Sequence, residues 1–126
     1  MSENRYETAV ARYFEAWNTT GSAEELAKAV EAAWSEDGRY ADPLSDATGH
    51  EAIAAVIGGA HAQFPGYEFR LDGAVDGHHE LVRFRWELVS VADGSAPVAG
   101  SDVIALAEDG RIAVVAGFLD RVPPTA

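Results

Sequence analysis

The 126-residue chain carries nine Lys and Arg against 21 Asp and Glu, a formal charge of -12, with 48% apolar and 10% aromatic residues. That charge repels phosphate backbones and anionic membrane surfaces, so neither a nucleic acid nor a membrane is expected as a partner. No cysteine is present, which removes disulfide frameworks and thiolate metal sites. The length fits one domain, 1–126, with enough apolar content for one packed core. The polar start has no apolar stretch behind it, and no run approaches the roughly 20 apolar residues that cross a bilayer. A soluble, cytoplasmic protein is the expectation.

In chain order, Tyr6, Val10, Tyr13, Phe14 and Trp17 fall at steps of three and four, which predicts a first helix from Glu3 to Asn18. Asn18-Thr19-Thr20-Gly21 breaks it. Ser22 followed by Glu25 is a capping box for a second helix, with Leu26, Val30 and Trp34 as its apolar stripe. Gly38 ends that region, Arg39 to Asp42 reads as a short strand, and Pro43 to Ala47 reads as a loop. Thr48 with Glu51 suggests another capping box, opening a third helix whose apolar face is Ile53, Val56, Ile57, Ala60 and Phe64, closed by Pro65-Gly66. Gly58-Gly59 inside it implies a close approach or a bend.

After Gly66 the period becomes two. Tyr67, Phe69 and Leu71 alternate with polar residues, and Asp76-Gly77 is expected to turn the chain into a long strand from His79 to Val91. Its faces divide into Val82, Phe84, Trp86 and Leu88 on one side and Arg83, Arg85 and Glu87 on the other. Turns at Asp93-Gly94 and Glu108-Asp109-Gly110 separate two further strands, about Val98 to Ala107 and Arg111 to Asp120. Val122-Pro123-Pro124 is a tail that cannot continue a sheet interior. Three helices with one short strand among them, then a four-strand antiparallel meander, must form an α+β cone: a strongly curved sheet wrapped around the helices, with an apolar lumen.

The element order, with Arg12-Tyr13-Phe14-x-x-Trp17-Asn18, Tyr40-Ala41-Asp42-Pro43, Gly49-x-x-x-Ile53, Phe64-Pro65-Gly66 and Asp109-Gly110-Arg111-Ile112, resembles the nuclear-transport-factor-2-like superfamily. Within it the chain looks most like the SnoaL-like, polyketide-cyclase-related branch. The resemblance runs from about Asn4 to Asp120 and implies the cone-shaped α+β barrel. The superfamily places isomerases, cyclases, hydrolases, dehydratases and non-catalytic binding proteins on this one fold. By similarity to the ketosteroid isomerases, Asp42 matches the proton shuttle, Tyr13 the first donor to the enolate oxygen, and Asp102 the second. The downstream strand carries arginines where those isomerases are more apolar, which argues against a steroid.

The residues allow two readings of each candidate. Tyr40 and Asp42 lie on one side of a strand, so both face the lumen if either does; Asp42 is then a general base, or else a turn-forming Asp before Pro. Asp102 shares a face with Ile104 and Leu106 and is either a neutral donor or the partner of Arg83 or Arg85. Tyr13 is a ligand contact or a core tyrosine. Trp17, Tyr40, His61, Phe64, Trp86, Ile104 and Phe118 are the expected ligand-lining residues. His50, His61, His78 and His79 are scattered, which predicts no metal site and no cofactor. The expected function is proton abstraction next to a carbonyl of an apolar small molecule, of isomerase, cyclase or dehydratase type, with a non-catalytic binding or dimerisation module as the alternative. The outer sheet face, with Leu81 and Val89 beside Arg83, Arg85 and Glu87, suits a homodimer.

Overall fold

A computed structural model describes residues 4–123. The elements run α1 Arg5–Trp17, α2 Ala23–Ala33, β1 Trp34–Ala41, β2 Asp46–Thr48, α3 His50–Gln63, β3 Tyr67–His78, β4 Leu81–Ser90, β5 Val98–Leu106 and β6 Ile112–Arg121. The six strands make one curved, unclosed sheet in the order β2-β1-β6-β5-β4-β3. All pairs are antiparallel except β1 with β6. The helices cover the concave face, as the cone expectation requires. The expected helix start at Glu3 and the tail residue Pro124 lie outside the described residues.

Local chemistry explains most boundaries. Asn4 caps α1 through its side chain, which accepts from the amides of Tyr6 and Glu7. The Ser22–Glu25 capping box on α2 is formed in both directions, which satisfies two amides that the first turn would otherwise leave open. The chain passes from α2 directly into β1, so Trp34 is not the last residue of a helix stripe but the first of a strand. It is fully buried there and packs against Tyr13, with ring centroids 5.5 Å apart.

Four further expectations are corrected. Thr48 does not cap α3: the cap is Gly49 at φ 91, with no side-chain hydrogen bond, a conformation that glycine adopts without the steric cost of a Cβ. Part of the expected Pro43–Ala47 loop is the short strand β2, paired with β1. Gly58 and Gly59 are not sites of close approach, because a Cβ at either meets nothing within 4 Å. Asp76-Gly77 is not a turn either. β3 runs through it after an irregularity between Asp72 and Asp76, and the chain reverses at His79, whose φ is 50. Gly77 instead lets the Tyr6 ring lie against the strand, where a Cβ would fall 2.6 Å from the ring.

The inward faces follow the two-residue period. Val82, Phe84, Trp86 and Leu88 are buried, while Arg83 and Arg85 stay outside, paired with Asp76 and Asp72 on β3. Ile53 and Ile57 of α3, Val30 of α2 and Ile104, Ile112 and Val115 of the sheet are completely buried. Gly100 on β5 has no room for a methyl: its Cβ would lie 2.4 Å from the Trp86 ring and 2.5 Å from the Phe118 carbonyl. Gly100→Ala is expected to destabilise the fold by roughly 1–3 kcal/mol through overpacking. Gly58→Ala, on a helix facing open space, should stabilise it by about 1 kcal/mol. Denaturant midpoints of the two variants against the parent check the opposite signs.

Candidate functional site

A cavity of about 350 Å³ opens between the helices and the sheet. Tyr13, Phe14 and Trp17 reach it from α1, and Val56, Gly59 and Phe64 border it from α3 and its end. The sheet contributes Tyr40, Phe69, Trp86 and Leu119, and the turn after β1 contributes Asp42 and Ser45. Gly59 leaves space where any side chain would protrude. Phe69 and Leu119 were not singled out from the sequence, although the alternation of Tyr67, Phe69 and Leu71 already put Phe69 on the inward side.

Asp42 follows the last residue of β1, and Tyr40 points the same way two residues earlier. The Tyr40 hydroxyl donates to Asp42 Oδ2 at 2.5 Å, while Asp42 Oδ1 accepts from the amides of Leu44 and Ser45, both at 2.8 Å. Asp42 therefore closes an Asx turn and also lines the cavity, facing it with Tyr40. One lone pair of Oδ2 remains for a ligand or a proton. Burial, followed by the hydrogen bond to Asp42, pushes the Tyr40 phenol far above its ordinary value, so it stays a neutral donor.

Asp102 lies behind this wall, in the middle of β5, only 2% exposed. The Tyr13 hydroxyl donates to its Oδ2 at 2.6 Å, and the Trp86 indole beside it also favours the charged form. Neither Arg83 nor Arg85 touches it, since both are committed to β3, so the ion-pair reading of Asp102 does not hold. Desolvation dominates its titration and raises the carboxyl from 3.8 to about 6; Tyr13 and Trp86 oppose that rise, and the charge of Asp42 adds to it. Burial, then the charge of Asp102, likewise holds the Tyr13 phenol well above its ordinary value.

The two Tyr–Asp pairs meet at Gly117. Gly117 is opposite Asp102 in the β5–β6 ladder, and the parallel β1–β6 ladder brings Ala41 beside Ala116. A Cβ on Gly117 would lie 2.9 Å from Asp102 Oδ1 and 3.3 Å from the Asp42 Cβ. Asp102 Oδ1 and the Asp42 Cβ thus flank the same small space over Gly117. No periodicity points to Gly117, because its importance comes from β6 pairing with β1 across most of the chain.

Several expected ligand contacts lie elsewhere. Phe118 is 58% exposed on the convex side, since alternation along β6 turns Val115, Gly117 and Leu119 inward and Phe118 out. Ile104 is completely buried in the core beneath the cavity and does not reach it. His61 sits one position beyond the inward stripe of α3 and borders a separate groove with Asn18, Thr20 and Tyr67. His50 is occupied by the Trp34 and Ser35 carbonyls, 3.0 and 2.9 Å from Nε2. Among the described residues no cluster of three or more His, Cys, Asp and Glu is placed to hold a metal, and no helix is long and apolar enough to cross a membrane.

Because the folded state raises the Asp102 carboxyl above its unfolded value, it favours the protonated form. That contribution is complete below about 3.8 and is lost as pH rises through about 6. Its size is of the order of 3 kcal/mol. The stability of the parent relative to Asp102→Asn is expected to fall by that amount between pH 4 and pH 7, measured as the difference in unfolding free energy across a pH series.

Comparison with known proteins agrees with this architecture. The sequence profile of the SnoaL-like domain matches residues 10–115. A candidate isomerase of the SnoaL-like family from Agrobacterium tumefaciens str. C58 is 43% identical, superposes with a TM-score of 0.86, and is matched over 92% of this chain and 97% of its own. A candidate SnoaL-like polyketide cyclase from Jannaschia sp. CCS1 shares the fold at 18% identity and a TM-score of 0.74, over 95% and 91% of the two chains. A de novo designed protein with a curved β-sheet shares it at 16% identity and a TM-score of 0.68, over 95% and 88%. No curated protein matches the sequence. The chain belongs to the SnoaL-like family of the nuclear-transport-factor-2-like superfamily.

Proposed function

We propose that this protein is a small enzyme that abstracts a proton next to a carbonyl of an apolar molecule held in the cavity. The observation that carries the proposal is the convergence of two Tyr–Asp pairs, Tyr40–Asp42 and Tyr13–Asp102, across Gly117 at an aromatic-lined cavity. A general base must be able to reach the proton it takes. Asp42 lines the cavity and keeps one lone pair on Oδ2 after accepting from Tyr40. Tyr13 also lines the cavity, and its hydroxyl can donate to an oxygen that gains negative charge once Asp102 releases it.

Asp102 supports that donor from behind. Ionised, it accepts the Tyr13 hydrogen bond; carrying its own proton, it can donate to the Tyr13 oxygen and free the Tyr13 hydrogen for the ligand. With the carboxyl at about 6, the two forms are separated by little free energy near neutral pH. Isomerisation, cyclisation and dehydration all begin with this proton abstraction, and the 43% identical relative described as a candidate isomerase supports the class.

A second reading has its own observation. The three donors on Asp42 satisfy it as a turn cap, which is what a non-catalytic module that binds an apolar small molecule would also need. Hydrogen exchange of small cyclic ketones in D₂O separates the two. Asp42→Asn keeps the oxygen that caps the turn and removes the base, so exchange catalysed by the parent should fall by about 10²–10⁴. Undiminished exchange in the variant, or none in the parent, leaves the binding module as the function.

We also propose a homodimer through the convex sheet face. Val103, Val114 and Phe118 are exposed there by 39%, 37% and 58%, forming an apolar strip on the two central strands next to Arg83 and Arg85. Phe118→Asp should shift the protein from dimer to monomer at micromolar concentration in light scattering, with its circular dichroism unchanged.

A further inference from the structure

The cavity has aromatic surface on most sides and no basic group. Phe14 and Trp17 stand on the helix side, Phe69 and Trp86 on the sheet side, and Tyr40 beside Asp42. Among the described residues, the other polar side chains in its wall besides Tyr13 are Ser45 and Gln63, and Trp17 keeps a buried indole N–H with no hydrogen-bond partner. Seven of the nine Lys and Arg are in ion pairs on the surface. Of the other two, Arg5 lies over the Tyr6 ring and donates to the His79 carbonyl, and Arg12 is exposed on α1. Asp42 accepts from three neutral donors, and among the described residues it has no cationic partner.

We infer that the cavity takes an organic cation: a compact apolar molecule with a protonated or quaternary nitrogen, seated on the aromatic walls with that nitrogen toward Asp42. Aromatic faces attract cations through their quadrupoles, most strongly for Trp and when water is excluded. A carboxylate in the same wall adds direct Coulombic attraction. The second carboxylate, Asp102, lies just behind. A ligand carrying a carboxylate or phosphate would meet the same groups as repulsion, with no arginine or lysine to receive it, inside a protein of charge -12. The volume is at the small end for ligand cavities, which suits one ring with a short substituent.

The inference shares its cavity with the proposed enzyme but does not depend on turnover. Where turnover occurs, a positive nitrogen on the substrate also offsets the negative charge that builds on its oxygen after proton abstraction.

Titration of the full chain, followed by tryptophan fluorescence and calorimetry, tests it with three probes of similar size: benzyltrimethylammonium, its neutral carbon isostere neopentylbenzene, and phenylacetate. The cation is expected to bind at least tenfold more tightly than the neutral isostere, and phenylacetate more weakly than either. Asp42→Asn should cut the advantage of the cation about tenfold while leaving the neutral probe unchanged. Trp17→Leu should reduce cation binding more than neutral binding, which covers the case in which Asp42→Asn fails to fold. Equal binding of cation and isostere, tighter binding of phenylacetate, or no binding of any probe overturns the inference. Ketone exchange that depends on Asp42 without a cation preference sinks this inference alone; a cation preference without exchange sinks only the enzymatic reading.

Discussion

Burying the carboxylate of Asp102 in the middle of a sheet is the constraint around which the rest of the site is arranged. An ionised carboxylate removed from water is costly unless donors replace the lost solvent, and here the donor is a tyrosine from the first helix, with a tryptophan on the neighbouring strand also favouring the charged form. Meeting that need fixes the position of α1 over the sheet. It also fixes the ring of Tyr13, which packs at 5.5 Å from both Trp34 and Phe84. The polar requirement and the aromatic core are therefore one arrangement: α1 cannot shift along the sheet without leaving the carboxylate short of a donor.

Asp42 solves the opposite problem. It follows the end of a strand, partly exposed, and its side chain caps the Leu44 and Ser45 amides of the turn. Its second oxygen is the one given to Tyr40 and the cavity. The two carboxylates thus have different environments, one desolvated within the sheet and one bonded by a turn.

Much of this was legible in the residues. The stripe Val10-Tyr13-Trp17, the Ser22–Glu25 box and the alternation through Val82, Phe84, Trp86 and Leu88 are local patterns, and local patterns decide which elements exist and which faces they bury. The i, i+2 relation of Tyr40 and Asp42 carried their common orientation as well. What was not legible depends on pairing over long distances. β1 runs parallel to β6, and only that ladder places Gly117 between the two carboxylates. The exposure of Phe118 follows from the same register, since an aromatic on an alternating strand can take either face until its partners are known. Thr48, which carries a capping pattern, is instead used by a strand because β1 offers it a backbone partner.

The insertion of β6 between β1 and β5 has a consequence for how the protein comes into being. Strands early and late in the chain, β1 and β5, with one helix and the β3–β4 hairpin between them, are united by the last strand to arrive, and contacts of that sequence separation are the slow ones to form. The meander β3–β5 can assemble from neighbouring segments, and α1 with α2 likewise. Until β6 docks, Asp42 and Asp102 belong to separate pieces of the molecule, and the cavity lacks the wall that Leu119 supplies. Completion of folding and completion of the site are the same event, so a partly folded chain holds no partly working site.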